Sequence, residues 1–261
     1  MCRGCSCADV RPLTERRAGA QRLGDDVTKR NNVPSLFVVS LPRSLSTLIY
    51  HAVRQSAGLA EPIWTSDGEI MNLDRFALMP EPAWDFGRKF LRSDTDPEVY
   101  VEAMAFLTHT VAPTGHGYKD VVQPFLMAEW MKTSGFRALR IRRNVADVAY
   151  SMLTREWHYP SRLFPRTKDL ELAMVRGLVL ADRALDTIPA QHVDFDEFIH
   201  DEAPIFAAVR QLYGARVMTK RLSYIDNHFK RMRARILQRR RTARYQAIAD
   251  RVAKVSARRR P

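Results

Sequence analysis

Short apolar runs of strand length alternate along this chain with longer segments whose apolar residues recur at helical spacing. Leu36–Val39 is an apolar, β-branched run bounded by Pro34 and Pro42, which predicts a buried strand, and Ser46–Ser56 follows it as a helix. Pro97–Val111 predicts a second helix with Pro97 in its first turn, where a missing N–H is tolerated. Tyr118–Val121 reads as a short strand and Pro124–Thr133 as a helix. Phe136–Ile141 alternates as a strand, and Val145–Glu156 continues as a helix. Lys168–Ile188 predicts a long helix, His192–Phe195 a further strand and Pro204–Tyr213 another helix. Strands separated by helices imply an α/β fold, a three-layer sandwich in which a central parallel sheet is flanked by helices. Such sheets bind ligands beyond the carboxyl ends of their strands. No internal repeat is evident.

Both ends of the chain differ from this middle. Residues 1–33 are polar and without sustained period, so they read as a flexible leader before an α/β domain over 34–215. Residues 216–261 show an apolar stripe, Ile225, Phe229, Met232 and Ile236, resumed by Tyr245, Ile248, Val252 and Val255. The opposite face is rich in arginine: Arg231, Arg233, Arg235, Arg239, Arg240 and Arg241. This is a basic amphipathic helix. It suits RNA, anionic lipid or an acidic protein as partner, or else packs on the body with a solvated arginine face.

Composition changes that picture in two ways. The formal net charge of +13 belongs to the tail: residues 216–261 hold sixteen Lys/Arg against two acids, and the remainder is nearly neutral. The three cysteines, Cys2, Cys5 and Cys7, crowd into the leader, so no disulfide holds the body together. With 261 residues, 46% of them hydrophobic, a sizeable core is available, and no apolar run approaches the ~20 residues of a membrane helix. The expectation is a cytoplasmic protein without a transmembrane segment.

Two segments carry chemistry. Leu41-Pro42-Arg43-Ser44-Leu45-Ser46-Thr47 joins the first strand to its helix and puts a cation, three hydroxyls and a helix N-terminus at one bend. Free N–H groups and the helix dipole favour an anion there, with Arg43 able to fork onto phosphate or sulfate oxygens. It lacks the G-x-x-x-x-G-K-[ST] of a Walker A loop. The second segment, Arg142-Arg143-Asn144-Val145-Ala146-Asp147-Val148-Ala149-Tyr150-Ser151, again delivers arginine from a strand end. Asn144 can cap the following helix, and Asp147 can pair with Arg143 or Arg142.

Together the two segments resemble the nucleotide-binding signatures of the sulfotransferases that use 3′-phosphoadenosine 5′-phosphosulfate (PAPS). Pro42, Arg43, Ser44, Ser46 and Thr47 match the family's P-[KR]-[ST]-G-[ST]-[ST] loop; Arg143, Asn144, Asp147 and Ser151 match its R-[ND]-x-x-x-D-x-x-x-S stretch. Val193–Phe198 also resembles the strand after that site, so the resemblance spans roughly residues 35–214. It implies a P-loop NTPase-like fold. PAPS is then a co-substrate without a metal, held by Arg43, Ser44, Leu45, Ser46, Thr47, Arg143 and Ser151. The acceptor is a small-molecule or carbohydrate hydroxyl or amine. Leu45 departs from the pattern, standing where the family has a glycine that permits close backbone approach.

The same resemblance implies a catalytic set of Arg43, Glu61 and Lys119. Arg43 stabilises the bridging oxygen. Glu61, in Leu59-Ala60-Glu61-Pro62, is similar to the base of the carbohydrate and bacterial members, and Lys119 either reaches the sulfuryl group or pairs with Asp120. Two other readings stay open. A phosphate-binding kinase would need a metal-binding acid after a strand, for which Asp194 and Asp196 are the candidates. A catalytically impaired relative would instead bind RNA or membrane through its arginine-rich tail.

Overall fold

In the computed structural model, which describes residues 33–63, 65, 67–71, 89–214 and 223–257, four parallel strands form the centre. They are β1 (Leu36–Ser40), β2 (Gly117–Asp120), β3 (Arg137–Arg142) and β4 (Gln191–Asp194), in the order β2-β1-β3-β4. Leu36 pairs with Gly117 on one side and Arg137 on the other, and Leu139 pairs with Gln191. Every residue of β1 is buried, as expected for the inner strand of a sheet covered on both faces. The two-residue period sorts its side chains. Phe37 and Val39 join one apolar cluster, Leu36 and Val38 the other.

The helices are α1 (Ser46–Ser56), α2 (Pro97–Thr110), α3 (Pro124–Trp130), α4 (Val145–Leu153), α5 (Leu170–Leu185), the single turn α6 (Phe195–Phe198), α7 (Ala203–Tyr213), α8 (Ser223–Arg240) and α9 (Ala243–Ala257). Their starts follow from sequence: proline sits in the first turn of α2, α3 and α7, and Asn144 and Asp169 cap α4 and α5 by accepting from Ala146 N and Leu172 N. Ile49, Tyr50 and Val53 of α1 and Ile205, Ala208 and Val209 of α7 fill one face, whereas α2 to α5 fill the other. The α/β fold with a parallel sheet and flanking helices is therefore as expected. Among the described residues no helix is long and apolar enough to cross a membrane.

Element bounds moved by a few residues, with local causes. The helix expected to run to Glu156 ends at Leu153. Glu156 takes a left-handed φ of 58°, and Trp157 N donates back to Met152 O at 3.0 Å, closing a Schellman-type end without glycine. The tail stripe expected as one helix is two, α8 and α9. Thr242 divides them, its hydroxyl accepting from Tyr245 N at 3.2 Å. Phe229 and Ile236 of α8 pack into the cluster beneath α1 and α7, while Tyr245 and Ile248 of α9 pack into the opposite one. The tail thus passes from one face of the sheet to the other. The leader up to residue 32, with Cys2, Cys5 and Cys7, lies outside the described residues.

Candidate functional site

Beyond the carboxyl ends of β1, β2 and β3 lies a cleft of about 1010 Å³, and both sequence segments line it. The bend from β1 into α1 is unusual. Arg43 and Leu45 both adopt left-handed backbone, with φ of 66° and 58°, and Leu45 stands at the N-cap of α1 without any side-chain cap. A non-glycine residue in that region costs roughly 1–2 kcal/mol. Strain of this kind concentrates where a loop has been shaped for a ligand.

The second segment meets the first directly. Arg43 Nε donates to Ser151 Oγ at 3.3 Å across 108 residues, and a guanidinium nitrogen of Arg143 donates to the Arg43 carbonyl across 100 residues. Arg143 lies over the Phe195 ring, 4.2 Å from its centroid, and Arg43 lies 5.3 Å from that of Trp157. Two polar atoms of these segments lack partners. Ser44 Oγ and Arg143 Nε are buried with no hydrogen bond. Burial, reinforced by Arg43 and Arg239, pulls the Arg143 guanidinium down to about 10, and burial with Arg155 and Arg239 lowers Arg43. Two buried donor atoms without hydrogen bonds, with further arginines beside them, suit an anionic ligand.

The expected partner of Arg143 is elsewhere. Asp147 pairs with Arg240 at the end of α8, at 2.5 Å, and not with Arg143 or Arg142. Arg240 also holds Asp196 at 2.8 Å. Asp194 Oδ1 accepts from Asp196 N, capping α6. Both acids considered for a metal are therefore occupied locally. Arg240 fastens α8 to the start of α4 and to α6, and this turns Arg231, Arg235 and Arg239 onto the cleft wall. The sequence marked α8 as basic and amphipathic, but not that its charged face looks into the site.

Lys119 is 1% exposed on β2 and reaches the cleft between two partners, Glu69 at 3.1 Å and Thr47 Oγ1 at 2.7 Å. It does not pair with Asp120, whose Oδ1 accepts from Val122 N and Gln123 N while Oδ2 has no hydrogen bond. Burial pushes the Asp120 carboxyl up to about 7. Glu69 was not foreseen as a site residue. It sits after Gly68, which has a φ of 68° and where a Cβ would meet the Tyr50 ring at 2.3 Å. Lys119 N donates to Gly68 O at 2.7 Å, so this bend follows β2 and presents Glu69 to the ammonium. No spacing in the sequence signals that juxtaposition.

Glu61 is not brought into the cleft. Its carboxylate lies 3.6 Å from Arg54 and within 4.8 Å of His51 and Asp67, and of these His51 lines the cleft. Of the sequence-predicted residues, Arg43, Ser44, Leu45, Ser46, Thr47, Lys119, Arg143 and Ser151 converge on the cleft; among the described residues the acid lining it is Glu69. Neither models of known protein families nor curated proteins give a match to this chain.

Proposed function

We propose that the chain is a sulfotransferase that takes PAPS as co-substrate and transfers its sulfuryl group to an acceptor hydroxyl. The observation that carries this reading is the contact of Arg43 with Ser151 and with Arg143, which joins two segments 100 residues apart into one cleft with unpaired donors. When bound, the co-substrate supplies a sulfur that the acceptor oxygen attacks as the bridging S–O bond breaks, the electron pair leaving on the phosphate of 3′,5′-adenosine bisphosphate. The residues fit such a ligand. Ser44, Ser46 and Thr47 and the N-terminus of α1 offer donors to the 5′ end, and Arg143 with Ser151 to the 3′-phosphate.

Each remaining part of the mechanism belongs to a side chain. Arg43 stabilises charge growing on the bridging oxygen, and Lys119, hydrogen-bonded to Thr47, stabilises the equatorial oxygens. Glu69 takes the acceptor proton: it is the carboxylate on the cleft wall, 5% exposed, and Lys119 beside it orients it. Glu61 is not assigned this role because it does not line the cleft. Arg43, Lys119 and Arg143 line the cleft together and favour an anionic nucleotide over a neutral ligand.

A thermal-shift titration tests the donor half. 3′,5′-Adenosine bisphosphate should raise Tm by mass action, and ATP at the same concentration by far less. A larger shift with ATP and Mg²⁺ would replace the reading by a kinase. The catalytic half predicts that Glu69→Gln keeps the nucleotide shift and loses at least about 100-fold in turnover, as for loss of a general base. Loss of turnover in Glu61→Gln with full activity in Glu69→Gln would reverse the assignment.

A further inference from the structure

His51, Glu61 and Asp67 come together at the edge of the cleft, and the transfer step above uses none of them. Their ligand atoms, one imidazole nitrogen and two carboxylate oxygens, all lie within 4.8 Å of one another. His51 Nε2 and Asp67 Oδ1 are 3.0 Å apart, and Glu61 Oε2 lies 3.6 Å from Arg54 Nη2. All three side chains are half-buried, so an ion among them would be partly shielded from water and still within reach of it.

The three arrive on segments that are fixed independently. His51 lies on α1, one turn after Thr47, and its buried neighbour Tyr50 donates from its hydroxyl to Gly117 O at 3.0 Å. Glu61 follows Ala60, whose N donates to Gly115 O at 2.8 Å and whose O accepts from Gly117 N at 2.9 Å, so its backbone is tied to the start of β2. Asp67 and Gly68 are both left-handed, with φ of 57° and 68°, and Lys119 N donates to Gly68 O. That bend is therefore held on β2 as well, and it brings the Asp67 carboxylate to the imidazole on α1.

One imidazole with two carboxylates is a nitrogen–oxygen donor set of the kind that zinc and its first-row neighbours take, and the imidazole favours such ions over calcium or magnesium. Ligand atoms about 2.1 Å from a tetrahedral ion stand roughly 3.4 Å apart. The spacing of His51 and Asp67 already suits that, and no other separation has to close by more than about 1.4 Å. Arg54 would remain beside the Glu61 carboxylate as an outer partner. We propose that His51, Glu61 and Asp67 bind one divalent transition-metal ion of the zinc class, which ties α1 to the two segments along β2 and takes no part in sulfuryl transfer. The site does not depend on the sulfotransferase reading. Because α1 opens at the anion-binding loop and His51 also lines the cleft, a bound ion steadies the helix that faces the anion.

Zinc titration of the full chain against a chromophoric chelator tests it, with Cys2, Cys5 and Cys7 changed to serine so that their thiols do not compete. One equivalent should bind with a Kd of about 1 μM or tighter, and zinc should raise Tm where the same concentration of magnesium does not. His51→Ala and Asp67→Asn should each weaken zinc at least about tenfold, and Glu61→Gln, which keeps the side chain's size, should do the same. His116→Ala should stay within about twofold, since that ring is bonded to Thr114 O and lies outside the cluster. Circular dichroism of each variant shows that it has folded. Absence of one-to-one binding, or binding that survives all three ligand variants, would overturn the proposal and leave two plain ion pairs, His51 with Asp67 and Arg54 with Glu61. Failure of 3′,5′-adenosine bisphosphate to bind the same protein strikes the donor reading and leaves the zinc result standing.

Discussion

Arg140 and Arg143 leave the same strand three residues apart and meet opposite surroundings. Arg140, 1% exposed, points from β3 to two acids of α5 and the loop after it: Asp182 at 2.6 Å and Asp186 at 3.1 Å. Arg143 emerges past the end of the strand, donates to the Arg43 carbonyl and has Asp147, Arg43 and Arg239 as charged neighbours; each of the two arginines keeps one buried nitrogen without a hydrogen bond. The acids closest to it in the fold, Asp147 and Asp196, are both held by Arg240. An arginine enclosed by carboxylates is committed to the fold. One with cations on one side, and with its nearby acids already held by another arginine, is open to an anion from outside, as the proposed function requires.

The sharpest way to break the comparison is to truncate both. Arg140→Ala leaves two carboxylates facing a buried gap and should cost roughly 3 kcal/mol, near the lower end for a broken buried pair because Asp186 remains 44% exposed. Arg143→Ala should leave Tm within a degree or two while weakening 3′,5′-adenosine bisphosphate at least about tenfold. Denaturant unfolding and nucleotide titration separate the two. A large stability loss in Arg143→Ala would make it a second Arg140.

Arg240 tests why Arg143 is unpaired. Arg240→Ala releases Asp147, which is 5% exposed and near enough for its charge to be felt at Arg143. Stability should fall by about 2 kcal/mol for the lost charged bonds. Nucleotide binding should weaken several-fold as well, because Asp147 can then turn to Arg143, and Asp147→Asn in the same chain should restore it. Unchanged binding in Arg240→Ala would mean that Arg240 only fastens the tail.

How much of this was legible in the sequence follows the range of the interactions. The strands and most helix starts rest on local signals: β-branched runs between prolines, an Asn or Asp cap, a proline in a first turn. These gave the α/β order with shifts of one to three residues. The two anion-binding segments were legible because a strand, a bend and a helix start are contiguous, so Arg43, Ser46, Thr47, Arg143 and Ser151 could be placed at one edge. Glu69 was not, because only the bend at Gly68 packing against Tyr50 brings it to Lys119. The pairing of Asp147 spans 93 residues to Arg240, and no pattern in either segment encodes it.

Asp120 is the acidic counterpart of Arg143: buried, next to a lysine that serves Glu69, and with one oxygen unbonded. Its carboxyl ionises near 3.8 when exposed and near 7 in the fold, raised chiefly by burial. Between those values the folded state holds the extra proton, so this group's contribution is complete below about pH 4 and is lost as pH rises towards 7. Asp120→Asn keeps an acceptor for Val122 N and Gln123 N but does not titrate. Its Tm relative to wild type should therefore climb from pH 4 to about pH 7 and level off above it. A difference that stays flat over that range would show the carboxylate to be satisfied after all.

The smallest effect falls on Leu45, where the comparison turns from side chains to backbone. At φ 58° and ψ 23° this leucine holds a conformation natural to glycine, and its side chain packs partly against the cluster beneath α1. Leu45→Gly relieves roughly 1–2 kcal/mol of left-handed strain, but loses that packing and frees the unfolded chain, so net stability should change by under about 1 kcal/mol. Binding should respond more clearly. Without the side chain on the cleft wall, the N–H groups opening α1 stand nearer an incoming anion, and 3′,5′-adenosine bisphosphate should bind about threefold tighter, with turnover rising or level. Weaker binding in Leu45→Gly would mean that leucine rigidifies the loop around Arg43, and that the strain is kept because it sets the position of that guanidinium.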